Sequence, residues 1–215
     1  MTSGSKIRPA AEAVAAALAA ALRPWLRPRA ALLLALAALI AAPAWAFDLN
    51  DLMYLLAQRR SGEARFTEQR FVRGLDGPLD SAGTLSFTAP DKLVRRTLTP
   101  RPESMEVQGN VLILSRGGRT RTLSLDAMPE LQGMIEAMRG TLSGNAPALQ
   151  RYFKTEVKGD AKAWTLDLVP SLPALAAQVR SLRLSGSGSD VRGVDMEFIG
   201  GDRSVMTIVP GPAGS

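Results

Sequence analysis

Asp195 and Glu197 are the first residues whose spacing suggests chemistry. Positions i and i+2 of a strand share a face about 7 Å apart, near the carboxyl separation of a glycosidase. They alternate, however, with Val194, Met196 and Phe198, which makes them the wet face of a half-buried strand. The sequence of 215 residues has no His and no Cys, which excludes disulfides, imidazole or thiolate metal sites, Cys nucleophiles and any Ser-His-Asp triad. Gly186-Ser-Gly-Ser-Asp190 lacks the Lys and the following helix of a phosphate loop. The chain reads as a binding protein, not an enzyme, with no cofactor and no metal expected.

The chemistry that remains is apolar. Unbranched Met side chains repack cheaply around a ligand of variable shape. Met128, Met134 and Met138 follow a helical period with Leu131 and Ile135, while Met105, Met196 and Met206 fall in the apolar phase of strands. Leu85, Phe87, Val107 and Phe153 share that phase, as do Trp164, Leu166 and Phe198. Together these residues are the candidate lining of a ligand cavity, in which each buried methylene of an acyl chain contributes roughly 0.8 kcal/mol. They suit the packed core of a filled β domain equally, because a hollow barrel and a filled one share this pattern. Arg95 and Arg96 flank one strand, and Arg116, Arg119 and Arg121 cluster near a turn. These arginines fit lipid head groups, an acidic partner or a solvated face.

The elements that must position these residues are mostly strands. Asp48 is placed to cap a first helix with Leu49, Leu52, Met53 and Leu56 on one stripe, and Gly62 is expected to end it. Period-two alternation follows in Ser81–Ala89, around Met105 and Val107, in Val111–Ser115 and in Arg119–Leu125, with Gly109-Asn110 and Gly117-Gly118 as turns. A helix is expected after Asp126 as its cap and Pro129 in its first turn, stopped by Gly140, with a second short helix at Ala146–Gln150. Strands resume from Phe153 and continue through Trp164, Leu182, Val194 and Met206 to Ile208. The expected fold is mainly β (α+β): a half-open antiparallel barrel of about ten or eleven strands with an N-terminal helix and a helical lid.

The N-terminal segment reads as an export signal. Arg23, Arg27 and Arg29 precede the apolar run Ala30–Ala42 and the small-residue site Ala44-Trp45-Ala46, so cleavage is expected before Phe47. The run is shorter than the ~20 residues of a spanning helix. Residues 1–22 include an Ala-rich stretch that adds nothing a signal needs and mark a candidate over-extended start. Residues 1–46 hold Lys6, Arg8 and those three arginines against Glu12 alone, so the net +6 of the chain falls to +2 beyond them. Little is then left to attract nucleic acid. Without an N-terminal Cys to be lipidated, the expected product is a free periplasmic monomer: one domain over 47–210 and a disordered tail over 211–215.

Ala64-Arg-Phe-Thr-Glu-Gln69, Ser81-Ala-Gly-Thr-Leu85, Ala89-Pro90, the Gly109-Asn110 turn, and the late hairpin Val191–Phe198 with Asp202-Arg203-Ser204 and Met206-Thr207-Ile208 resemble the LolA family of periplasmic lipoprotein carriers. The resemblance runs over Phe47–Val209. It implies an incomplete barrel whose cavity holds the acyl chains of a lipid or lipoprotein, received from an inner-membrane exporter and given to an outer-membrane acceptor. The family carries Arg-Pro where this chain has Ala89-Pro90, and that Arg is associated with lid closure. Many members also continue into another strand beyond the position of Val209. Other roles consistent with the residues are an interaction or sensor domain with a filled interior, and an accessory of a polyene or glycolipid export system.

Overall fold

The first helix begins where its spacing predicts. Asp48 accepts hydrogen bonds from the backbone N–H groups of Asn50 and Asp51, and Asp51 accepts the N–H of Asp48 in return. This box starts α1, Leu49–Ala57, which buries Leu52, Met53 and Leu56. The computed structural model describes residues 47–211. The expected signal segment, residues 1–46, and most of the expected tail lie outside the described residues. Gly211, assigned to that tail, is instead tied down: its N–H donates to the Glu63 carbonyl at 2.7 Å.

Eleven strands form one antiparallel sheet. The first six run as a meander: β1 Ser61–Phe71, β2 Leu79–Thr88, β3 Lys92–Thr99, β4 Glu103–Gln108, β5 Val111–Arg116 and β6 Arg119–Ser124. Two helices follow, α2 Pro129–Ser143 and α3 Ala146–Gln150. A second meander comprises β7 Phe153–Asp160, β8 Ala163–Pro170, the short α4 Pro173–Ala176, β9 Val179–Ser187, β10 Asp190–Phe198 and β11 Arg203–Pro210. The last strand returns to the first, with Phe66 opposite Ile208 and Glu68 opposite Met206. The resulting order, β6-β5-β4-β3-β2-β1-β11-β10-β9-β8-β7, leaves β6 and β7 as unjoined edges. The sheet is open, as a half-open barrel requires. No helix among the described residues is long and apolar enough to cross a membrane.

Three local expectations are corrected. Gly62 does not end α1, which stops at Ala57; it is the second residue of β1. Asp126 does not cap α2. It lies in a 3-10 turn, Leu125–Ala127, and accepts from the Asn110 side chain at 2.6 Å, leaving Met128 as N-cap and Pro129 as the first helical residue. Gly140 does not stop α2 either. A Cβ there would lie 3.3 Å from the Asn145 carbonyl and Leu149, so it is the point where α3 packs closely against α2. The stop is Gly144, at φ +69°, where a Cβ would fall 2.3 Å from the Met53 carbonyl. Gly144→Ala is therefore expected to cost roughly 2–4 kcal/mol through left-handed strain plus that clash. Chemical denaturation checks this as a lower midpoint at unchanged slope.

The core is divided in two. On one flank Phe153, Trp164, Leu166, Leu168, Leu182 and Leu184 of β7–β9 are buried against α1, Leu149 of α3 and Leu175 of α4. On the other flank Phe87, Leu93, Val107 and Leu112 of β2–β5 are buried against Leu125 and Ile135. The helix α2 joins them: Ala137 and Met134 pack on the first cluster, while Ile135, Leu131, Met138 and Leu142 pack on the second.

Candidate functional site

Between the two clusters lies a cavity of about 330 Å³, covered by α2. Its roof is one helical face, Leu131, Met134, Ile135, Met138, Thr141 and Leu142, spaced by three and four residues. Its strand wall includes Leu85, Phe87, Met105, Met196 and Met206, with Leu93, Val194 and Ile208 between them. The centre stays open because β1 contributes a small side chain here. Ala64 lines the cavity where a larger residue would fill it, while at Gly62 the Arg59 side chain takes the space, a Cβ there falling 2.8 Å from its Nε. Thr141 adds no polar demand, since its hydroxyl donates to the Ala137 carbonyl at 2.7 Å.

Of the candidate lining residues, Leu85, Phe87, Met105, Met196 and Met206 on strands and Leu131, Met134, Ile135 and Met138 on α2 reach this cavity. The others are placed elsewhere. Phe153, Trp164 and Leu166 are fully packed in the β7–β9 flank, Val107 is buried beside Leu93 and Leu112, Met128 packs on that second flank, and Phe198 packs on the first. The strand residues among them lie on strands toward the sheet edges or near strand ends, and Met128 stands at the N-cap of α2, so they face inward but not centrally. Asp195 and Glu197 are exposed on the outer face, where Asp195 stands opposite Arg183 in the ladder.

The arginine pair is split by the strand period. Arg96 is exposed, whereas Arg95 faces the cavity. The Arg95 guanidinium donates to Glu68 at 2.5 Å and lies 4.6 Å from the centre of the Phe66 ring. Glu68 also accepts from the hydroxyls of Ser204 and Ser81. Burial pushes its carboxyl up, but the Ser204 hydrogen bond, the Arg95 charge and the remaining hydrogen bonds outweigh it, and the net direction is down. A second ion pair, Arg59 with Asp190, closes the other end of the lining.

A depressed carboxylate contributes stability above its unfolded value that is lost as pH falls through its folded value. The Glu68 contribution is thus present at neutral pH and disappears below its ordinary value of 4.5. Glu68→Gln is expected to flatten the acid limb of stability against pH; an acid limb as steep as that of the parent would contradict the assignment. Glu68, Ser204, Arg59 and Asp190 escape an alternation search for apolar residues. The available signal was Glu68 itself, a charge in phase with inward Ala64 and Phe66.

The roof is fastened by Arg139, a residue only 9% exposed. Its guanidinium donates to the Asp91 carbonyl at 2.9 and 3.1 Å, to the Gly109 carbonyl at 2.6 Å and to Glu136 at 3.0 Å. These bonds join α2 to the β2–β3 and β4–β5 turns. Ala89, at the position where the resembling family has Arg, is half-buried against the second cluster. The arginine that ties roof to sheet stands on the roof.

This arrangement of open sheet, helical roof and apolar hollow agrees with the sequence comparison. A family described as outer membrane lipoprotein carrier protein LolA-like matches residues 41–214. The chain belongs to this LolA-like family. No curated protein matches the sequence. Among solved structures, a LolA superfamily protein from Nitrosomonas europaea aligns over 74% of this chain and 89% of its own, at 10% identity and TM-score 0.43. A DUF1329 family protein from Desulfovibrio piger aligns over 75% and 89%, at 8% identity and TM-score 0.41. LprF from Mycobacterium bovis aligns over 77% and 97%, at 11% identity and TM-score 0.32. The hollow under α2 is therefore that of a LolA-like chain.

Proposed function

We propose that this LolA-like protein is a soluble periplasmic carrier. It holds the acyl part of a lipid, lipoprotein or lipid-linked molecule in the cavity beneath α2 and moves it from the inner to the outer membrane. An exporter would load it and an acceptor would empty it. The observation that carries this reading is the cavity itself: an apolar hollow between two packed flanks, with Met134, Met138, Met196 and Met206 around it. Family membership supports the same reading. A filled interior would have suited a purely surface-acting domain, and the hollow favours the carrier.

Native mass spectrometry of protein purified from the periplasm tests the proposal. A bound acyl lipid, displaced by a fluorescent fatty acid, is the expected result. Protein that carries no lipid and takes up no fluorescent fatty acid would sink it.

A further inference from the structure

We propose that the cavity selects a single-chain amphiphile with an uncharged, hydrogen-bonding head, an acyl ester or amide, whose carbonyl oxygen accepts from Arg95. This deepens the carrier reading and rests on it. At about 330 Å³ the hollow is at the low end of the ~300–1,000 Å³ usual for ligand pockets, a size for one chain.

The charge pattern excludes an anionic head. Both cations that line the cavity already hold a carboxylate of their own, Arg95 with Glu68 and Arg59 with Asp190. A carboxylate or phosphate brought to Arg95 would lie beside Glu68, partly desolvated, and like charges in such a place repel strongly. A cationic head fares no better, because the two Glu68 oxygens already accept from Ser204, Ser81 and Arg95. A neutral carbonyl has neither problem. A guanidinium carries five N–H donors, and Glu68 takes one from Nη2 while Arg95 donates to no other protein acceptor among the described residues. The remaining donors suit an ester or amide oxygen, with the chain running toward the methionines.

The test uses the purified chain loaded with the apolar dye N-phenyl-1-naphthylamine, displaced by 1-monolauroylglycerol or by laurate at about pH 8, where the fatty carboxylate is charged. Monolauroylglycerol is expected to displace the dye at a concentration at least tenfold lower than laurate. Glu68→Gln leaves Arg95 uncompensated, and that variant is expected to reverse the order in favour of laurate. Laurate binding as tightly as the ester, or no gain for laurate in Glu68→Gln confirmed folded by circular dichroism, overturns the head-group inference and leaves the carrier reading standing. Failure of both ligands and the dye to bind removes the two together.

Discussion

Arg139→Ala is expected to lower stability by about 3 kcal/mol and to loosen the roof of the cavity. The side chain is buried and donates to two backbone carbonyls, those of Asp91 and Gly109, besides pairing with Glu136. Hydrogen bonds from a charged donor contribute about 1.5–3 kcal/mol each, and carbonyls left without a partner add their desolvation cost. For a chain of this size, 3 kcal/mol corresponds to a fall in Tm of roughly 6–12 °C. Hydrogen exchange should quicken along Pro129–Ser143, while the β7–β9 flank, which Arg139 does not touch, keeps its protection. Arg139→Lys retains the charge but not the fork that spans two turns, so it should recover only part of the loss. Unchanged exchange in α2 would mean that the roof is held by apolar packing alone.

Ala64→Phe should separate binding from stability. Ala64 stands in mid-sheet, opposite Leu85 on one side and Pro210 on the other, and its side chain borders the hollow. A benzyl group there occupies space that about four methylenes of a ligand would need. At ~0.8 kcal/mol per methylene this costs about 3 kcal/mol, roughly a hundredfold in Kd. Filling a pre-existing cavity seldom destabilises, so Tm should hold or rise. Leu166→Ala in the packed flank should do the reverse: about 2–5 kcal/mol is lost from stability, with dye affinity near that of the parent. If both variants weaken stability and binding together, the hollow and the flanks are one core.

The sequence made the hairpins legible because their strands alternate and their turns carry Gly where positive φ is needed, as at Gly117 and Gly118. β1 lacked a comparable signal. Its inward positions are Gly62, Ala64, Phe66 and Glu68, a series with one large apolar member, and only the resemblance marked it out. β3 was obscured similarly, because inward Arg95 and Thr97 interrupt its apolar phase. The same features that hid these strands create the site, since small and charged residues in mid-sheet leave a hollow and furnish its polar group.

Inward phase was readable for Phe153, Trp164 and Leu166, but lateral position was not. Alternation reports which face a residue takes and says nothing about how far its strand lies from the middle of the sheet. That depends on the pairing of β1 with β11, which joins residues about as far apart as Phe66 and Ile208. Once those strands close the order, β2, β1, β11 and β10 become central and β7 becomes an edge. The methionines of α2 were easier to place, because one helical face has only one side of the sheet to cover.

The central claim is that an acyl chain lies beneath α2, between the two packed flanks. Photo-crosslinking with a diazirine-bearing acyl ester, followed by peptide mapping, tests it most directly. Adducts are expected on the segments that hold Leu131–Leu142 and Val191–Met206, at cavity residues such as Met134, Met138 and Met196. Labelling confined to the outer face, at exposed residues such as Leu98 or Val169, would contradict it.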